Sequence, residues 1–285
     1  IAEHNPLAMF MFGDIAVQDR NNHLGMHRAD YLLRDFQTAW KDFTCRVPVY
    51  ASWDDHDYFD NDKAGIPEGF DQKDKQDVWR VFRRSWANPS YGFGTDGKGV
   101  FHKASIGPVD IIMLDNRYFR ENVKGSFLGD SQMSWLKEGL KKSNADFILL
   151  TCPTMFSDYV SNGKDSWGRW DPKSREELFT FIEENKLAVI LLSGDRHGAR
   201  GFTIQRPSGH KFYEFETASL GARTGPPATR PEWDNQLYGY SGIYAFGLFT
   251  ADASVKEPHI KFELIDQHGK VLYDITLKSS DLKAH

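Results

Sequence analysis

Cysteine is scarce in this 285-residue chain, which has only Cys45 and Cys152. Two cysteines make no disulfide framework, and they leave the redox compartment open. Long apolar runs are absent as well. None approaches the ~20 residues that a helix needs to cross a bilayer, and no signal peptide is visible. Basic excess is also missing. The formal net charge is −5 and the pI is about 6.1, so the electrostatic footprint of a nucleic-acid binder is absent. An acidic balance does not forbid a phosphate substrate, because bound cations would dominate the local field. There is no internal repeat and no low-complexity linker. The chain opens on Ile1 and enters an apolar stretch almost at once, which reads as a trimmed product or fragment with room for a removed signal.

Aromatic and aliphatic side chains are plentiful. Hydrophobic residues make up 40% of the chain, with 21 Phe, 11 Tyr and 8 Trp, enough to bury a substantial core. Length alone allows one large domain or two ordinary ones. Five short apolar runs each end in a polar cluster. Leu7–Phe12 leads to Gly13-Asp14, and Val47–Trp53 to Asp54-Asp55-His56-Asp57. Val109–Leu114 leads to Asp115-Asn116-Arg117, Phe147–Cys152 to Pro153, and Leu187–Leu192 to Ser193-Gly194-Asp195-Arg196-His197. Their length and continuous apolarity predict strands covered on both faces. Helical spacing between them predicts helices over Asp30–Phe43, Asp74–Trp86, a segment capped by Asp130 or Ser131, and a segment from Asp171-Pro172 to about Asn185. Gly201–Glu216 and Ile243–Leu277 read as antiparallel β, the second with a hairpin at Gln267-His268-Gly269. The expected class is α/β with mixed sheets.

In an open α/β sheet, ligands bind beyond the carboxyl ends of the strands. Asp14, Asp55, Asp195 and His197 all fall at such ends and are expected to face one crevice. Carboxylate oxygen with imidazole suits Mn, Fe, Zn or Ca ions rather than a soft thiolate metal. Two ions roughly 3.5–4 Å apart lower the pKa of a bound water and clamp phosphoryl oxygens. A nearby histidine protonates the leaving oxygen, and an arginine neutralises phosphate. Each cluster also has a plainer reading: a turn at Gly13-Asp14, a solvated acidic loop at Asp54–Asp57, a local ion pair of Arg117 with Asp115 or Glu121. His23 and His27 read as exposed structural residues. His102, His210, His259, His268 and His285 read as non-ligands. Cys45 reads as core, as does Cys152, with metal ligation a weaker alternative for Cys152. Tyr91, Trp167 and Trp170 lie in long loops and read as packing residues.

The order of motifs resembles the PhoD-like alkaline phosphatases and phosphodiesterases, a branch of the calcineurin-like metallophosphoesterases. The carriers are Gly13-Asp14, WDDHDYFDND at Trp53–Asp62, LDNRYFR at Leu114–Arg120, LGDSQMSWL at Leu128–Leu136 and LLSGDRHG at Leu191–Gly198. They reach to about Gly225, beyond which only a generic β tail corresponds. The resemblance implies a single catalytic domain over 1–285, built as a four-layer α/β/β/α sandwich. It implies two divalent or trivalent metal ions (Ca, Mn, Zn or Fe), with Asp14 bridging and Asp55, Asp195 and His197 completing the sites. Cys152 falls where the wider superfamily has a metal-binding histidine. His56 is expected to contact phosphate or protonate the leaving group, and Arg117 to contact phosphate. The implied reaction is hydrolysis of a small-molecule, lipid or polymer phosphate ester by a metal-bound water, in the periplasm or outside the cell. Two departures stand out. A strand that family members carry before Gly13-Asp14 is absent, and Val17 stands where an iron-binding tyrosine is usual. They motivate a second reading, a non-catalytic metal- or ligand-binding domain derived from such an enzyme.

Overall fold

Each of the five apolar runs forms a strand in the structure, a computed structural model that describes residues 1–15, 25–94, 98–120, 125–159, 165–221, 223–225 and 234–284. Val17, His23, Glu121 and His285 lie outside the described residues. The chain divides into two compact units: Ile1–Ala104 with Met113–Met133, and Ser105–Ile112 with Ser134–His285.

In the first unit, β1 (Met9–Phe12) and β2 (Val49–Ser52) pair in parallel, with Met9 opposite Val49 and Phe12 opposite Ser52. Residues 30–43 form two helices, α1 (Gly25–Phe36) and α2 (Thr38–Thr44), rather than one. The chain turns at Gln37, whose extended backbone (φ −67°, ψ 125°) carries Trp40 onto Trp86, ring centroids 6.1 Å apart. A single turn, α3 (Asp55–Tyr58), follows β2. Helix α4 (Gln72–Ser85) begins at a capping box. The Asp71 carboxylate accepts the Lys73 and Asp74 N–H groups at 2.7 and 3.0 Å, and Asp74 returns a bond to the Asp71 N–H at 3.0 Å. Its Val78, Trp79 and Phe82 bury against Tyr31, Trp53, Tyr58 and Trp86. Asn88 sits alongside β2, its Oδ1 accepting Ala51 N–H at 2.9 Å and its Nδ2 donating to Ala51 O at 2.8 Å.

The large sheet has seven strands in the order β3-β4-β5-β6-β8-β7-β9. They are β3 (His102–Ile106), β4 (Val109–Met113), β5 (Phe147–Thr151), β6 (Val189–Ser193), β7 (Ala199–Gln205), β8 (Lys211–Glu216) and β9 (Gln236–Tyr240). The division between units falls within β3, at the end of β4 and within α5 (Gly129–Lys141). β4, β5 and β6 are buried along their whole length. β5, β6 and β8 run parallel, whereas β7 is antiparallel to both β8 and β9. The sheet is therefore mixed, as expected. A short helix, α6 (Trp167–Trp170), precedes α7 (Pro172–Glu184). Asp171 caps α7 by accepting the Ser174 N–H at 3.1 Å, with Pro172 at the first helical position. The C-terminal run is a meander of β10 (Ala245–Asp252), β11 (His259–Asp266) and β12 (Val271–Lys278), and its second turn is the expected hairpin at 267–269. Phe262 of β11 stacks on Phe215 of β8, centroids 4.3 Å apart.

Three expectations need correction. Cys45 is exposed, because it ends α2 on the surface. His27 is buried rather than exposed, since its position on α1 turns the ring inward. Two strands, β3 and β9, were not foreseen. Trp167 and Tyr91 are packing residues: Trp167 is fully buried against Phe156, and Tyr91 packs on the core of the first unit.

Candidate metal centre

β1 and β2 end side by side, so the loops that follow them share one edge. Gly13 makes this possible. Its φ is +81°, and a Cβ there would lie 2.3 Å from the Asp54 Cβ. Only glycine lets the two loops approach this closely. Asp14 follows in the left-handed region at φ 54°. As a result Asp14, Asp54 and Asp55 each offer a carboxylate oxygen within 4.8 Å of the others.

The surrounding groups are committed to holding this cluster. Asp57 accepts Ile15 N–H at 3.1 Å, Tyr31 O–H at 2.9 Å and Asp54 N–H at 3.2 Å, which ties both loops to α1. Asp55 accepts its neighbour His56 N–H at 2.9 Å and Asp62 N–H at 2.7 Å. His27 Nε2 donates to His56 O at 2.8 Å, so the His56 backbone is held from both sides while its ring stays half-buried. From the loop after β4, Asn116 Nδ2 and Arg117 Nε both donate to Asp54 Oδ1, at 2.8 and 2.6 Å. Arg117 is fully buried, and its Nη2 lies 3.9 Å from Asp55 Oδ2. It therefore pairs most closely with Asp54 and more distantly with Asp55. Asp115 serves instead as the framework of the turn, accepting Trp53 Nε1, Arg117 N–H and Tyr118 N–H on Oδ1 and Val100 N–H on Oδ2, at 2.8–2.9 Å. Gln132 brackets the same residue, accepting Asp115 N–H at 2.9 Å and donating to Asp115 O at 2.8 Å.

One positive guanidinium does not balance three buried carboxylates, and the electrostatics show it. Burial, then Asp54, Asp55 and Asp57, push the Asp14 carboxyl well above its usual range. Burial and Asp55 raise Asp54 to about 7 despite Arg117. For Asp55 burial also acts upward, but Arg117, His56 and the backbone N–H groups of Asp62 and His56 outweigh it, and its carboxyl is lowered. Asp54 Oδ2 is buried without a hydrogen-bond donor. Crowded, dry carboxylate oxygens lacking donors are the donor set of a hard cation. The first unit's residues therefore fit a bound metal ion.

In the second unit Asp195 and His197 sit on the loop between β6 and β7, both with left-handed backbones (φ 74° and 57°). The His197 Nδ1 shares a hydrogen bond with Ser219 Oγ at 3.2 Å, which sets the ring's orientation. Glu216 Oε1 accepts the Arg196 N–H at 2.8 Å. Cys152, the residue after β5, is fully buried, its sulfur 3.6 Å from Thr154 Oγ1. The sequence reading missed Asp54, Asn116, Asp57 and Glu216 as contributors. Only the crowding of WDDHD hinted at the first.

The family model for PhoD-like phosphatases matches residues 14–284. Among solved structures, a structure of PhoD aligns with a TM-score of 0.66 at 17% identity, covering 90% of this chain and 60% of that one. Purple acid phosphatase PPD1 from seeds of yellow lupin (Lupinus luteus) aligns with a TM-score of 0.66 at 13% identity, covering 97% of this chain and 47% of that one. The chain thus spans less than two thirds of either neighbour, and the likeness is one of metallophosphoesterase fold. No curated protein matches in sequence.

Proposed function

The chain belongs to the PhoD-like phosphatase family, and on that premise we propose that it hydrolyses phosphate esters at a centre of two metal ions. The observation that carries this reading is the buried carboxylate cluster of Asp14, Asp54 and Asp55, held by Arg117 and Asn116 and short of positive charge. Asp14, Asp55, Asp195 and His197 are the proposed ligands. Cys152 is a weaker candidate. Bound ions would supply Lewis acidity and an activated nucleophile at neutral pH.

The chain's own side chains do the rest. His56 hands a proton to the leaving oxygen, and its fixed backbone limits the ring to rotation about its side-chain bonds. Arg117, anchored through Nε on Asp54, meets a phosphoryl oxygen with its terminal nitrogens. Asn116 and Arg117 share one acceptor, Asp54 Oδ1, which orients both side chains. No helix among the described residues is long and apolar enough to cross a membrane. On the family resemblance alone, we propose a periplasmic or extracellular location and a small-molecule, lipid or polymer phosphate ester as substrate.

The test is metal analysis of the purified chain coupled to hydrolysis of an aryl phosphate and an aryl phosphodiester, before and after chelation. Two ions per chain and chelator-sensitive turnover are expected, and the preferred ester settles mono- against diesterase. Absence of both metal and turnover after Mn, Zn, Fe or Ca is restored would favour a non-catalytic binding domain. His56→Ala should retain metal and lose hydrolysis.

A further inference from the structure

The loop Gly194-Asp195-Arg196-His197 is held in a costly shape. Asp195 and His197 both adopt left-handed backbones, a region that non-glycine residues occupy only when their surroundings hold them there. The restraint comes from β8, the strand between β6 and β7 in the sheet order. Glu216, the last residue of β8, is the register partner of Ser193 at the end of β6 and of Arg200 near the start of β7. It therefore stands at the mouth of the loop, beside both the strand from which the chain leaves and the strand to which it returns. Its side chain is buried. Oε1 accepts the Arg196 N–H at 2.8 Å, the peptide between the two left-handed residues. Oε2 lies 3.3 Å from Arg200 Nε, and the Tyr238 hydroxyl donates to the Glu216 carbonyl at 3.0 Å.

The opposite side of the loop is closed by backbone and glycine. His197 O accepts the Gly225 N–H at 3.0 Å and the Ser219 N–H at 3.4 Å. A Cβ on Gly225 would fall 2.0 Å from Arg196 O. The loop is thus gripped between Glu216 on one side and Ser219 and Gly225 on the other. The neighbouring Glu214 on the same strand mainly holds a different segment, accepting Phe156 and Ser157 N–H at 2.7 and 3.1 Å, and its carboxylate also lies beside the Ser193 hydroxyl at the end of β6. It is therefore an internal control for burial of a carboxylate in β8.

We propose that Glu216 is a positioning residue, which fixes Asp195 and His197 in their metal-binding orientation through the Arg196 peptide and the Arg200 side chain. This rests on the reading of Asp195 and His197 as metal ligands. A carboxylate that acts one step behind the ligands typically tunes metal affinity about 10–100-fold. Glutamine retains an acceptor for the Arg196 N–H, and alanine does not.

The experiment compares the full chain as wild type, Glu216→Gln, Glu216→Ala, Glu214→Gln and Asp195→Ala. Titration with Mn2+ alone is followed by the signal of the free ion, and hydrogen exchange is measured over 194–197. Glu216→Ala should weaken Mn2+ binding at least tenfold and speed exchange of the Arg196 amide. Glu216→Gln should stay within about threefold of wild type, and Glu214→Gln should leave the 194–197 exchange unchanged. If Glu216→Ala folds and its Arg196 amide exchanges no faster, the proposal is overturned whatever the metal does. Equal losses of Mn2+ affinity for Glu216→Gln and Glu216→Ala would also overturn it, since the shared acceptor would then be irrelevant. If Glu216→Ala misfolds, Glu216→Gln and the exchange data still decide. Wild-type affinity in Asp195→Ala would instead overturn the ligand reading, and with it the metal-positioning role of Glu216.

Discussion

Replacing Asp115 by asparagine tests whether the arginine-bearing turn is preset by one buried carboxylate. Oδ1 accepts three donors and Oδ2 one, all at 2.8–2.9 Å, in a side chain with no exposure. An asparagine oxygen in the Oδ1 position keeps the bonds from Trp53, Arg117 and Tyr118. Its NH2 then faces the Val100 N–H, donor against donor. A lost charge-assisted bond with an orphaned buried donor costs about 1.5–3 kcal/mol. Part of this is offset, because burial already raises the Asp115 carboxyl above its usual range and the amide carries no charge to desolvate. The expected loss is about 2 kcal/mol, read as a shifted urea midpoint in tryptophan fluorescence at neutral pH. Alanine strands all four donors at about 1–3 kcal/mol each, which approaches a typical total stability, so that variant should not accumulate folded. Trp53→Phe removes one donor, leaves Asp115 three others and opens a cavity among Tyr58, Phe82 and Tyr118; it should cost about 2–3 kcal/mol and be non-additive with Asp115→Asn. A loss below ~0.5 kcal/mol in Asp115→Asn would show that Val100 is satisfied elsewhere and refute the role given to Asp115.

Two further outcomes are expected. His102 is fully buried, and burial lowers it to about 4 although its Nδ1 sits 3.0 Å from the Val100 carbonyl. The unfolded chain, at its usual ~6.5, binds the proton first, so this group's stability is complete above pH ~6.5 and about 3 kcal/mol of it is lost as pH falls toward 4. Urea midpoints at pH 7 and 4.5 should show the loss and His102→Phe should reduce it; an identical slope in that variant would exclude His102 as its source. Gly13→Ala combines a strained φ of +81° with a contact of 2.3 Å to the Asp54 Cβ. It should lower stability by about 2 kcal/mol or more and release bound metal, as checked by melting and metal analysis; a wild-type melt would contradict the close approach of the two loops.

Much of the architecture was legible because its signals are local. Residues 147–150 and 189–192 are apolar at every position, and the strands they form are buried throughout, as a doubly covered strand requires. Asp171-Pro172 starts α7 by capping chemistry that spans three residues. β3 escaped notice because HKASI mixes polar and apolar positions without a clean period. The break at Gln37 carries neither glycine nor proline. At the centre, Asp14 and Asp55 were readable as strand-end acids. Asp54 was not, because its burial depends on Asn116 and Arg117, 62 and 63 positions away. Glu216 was hidden for a related reason. An acidic residue at a strand end reads as solvent-facing, and only the β6-β8-β7 order reveals that it lies under a loop.

Asn88 gives the β1–β2 pair a finished border. The Ala51 peptide groups of β2 point away from β1 and are fully buried, so without a partner they would be left unsatisfied. The Asn88 amide has the same donor and acceptor pair as a peptide unit, and it occupies both Ala51 groups, as a neighbouring strand would. One side chain thereby stands in for a third strand. The match is chemical rather than steric, so at this position aspartate, which offers acceptors but no donor, would leave the buried Ala51 carbonyl without its partner although it is nearly the same size as asparagine.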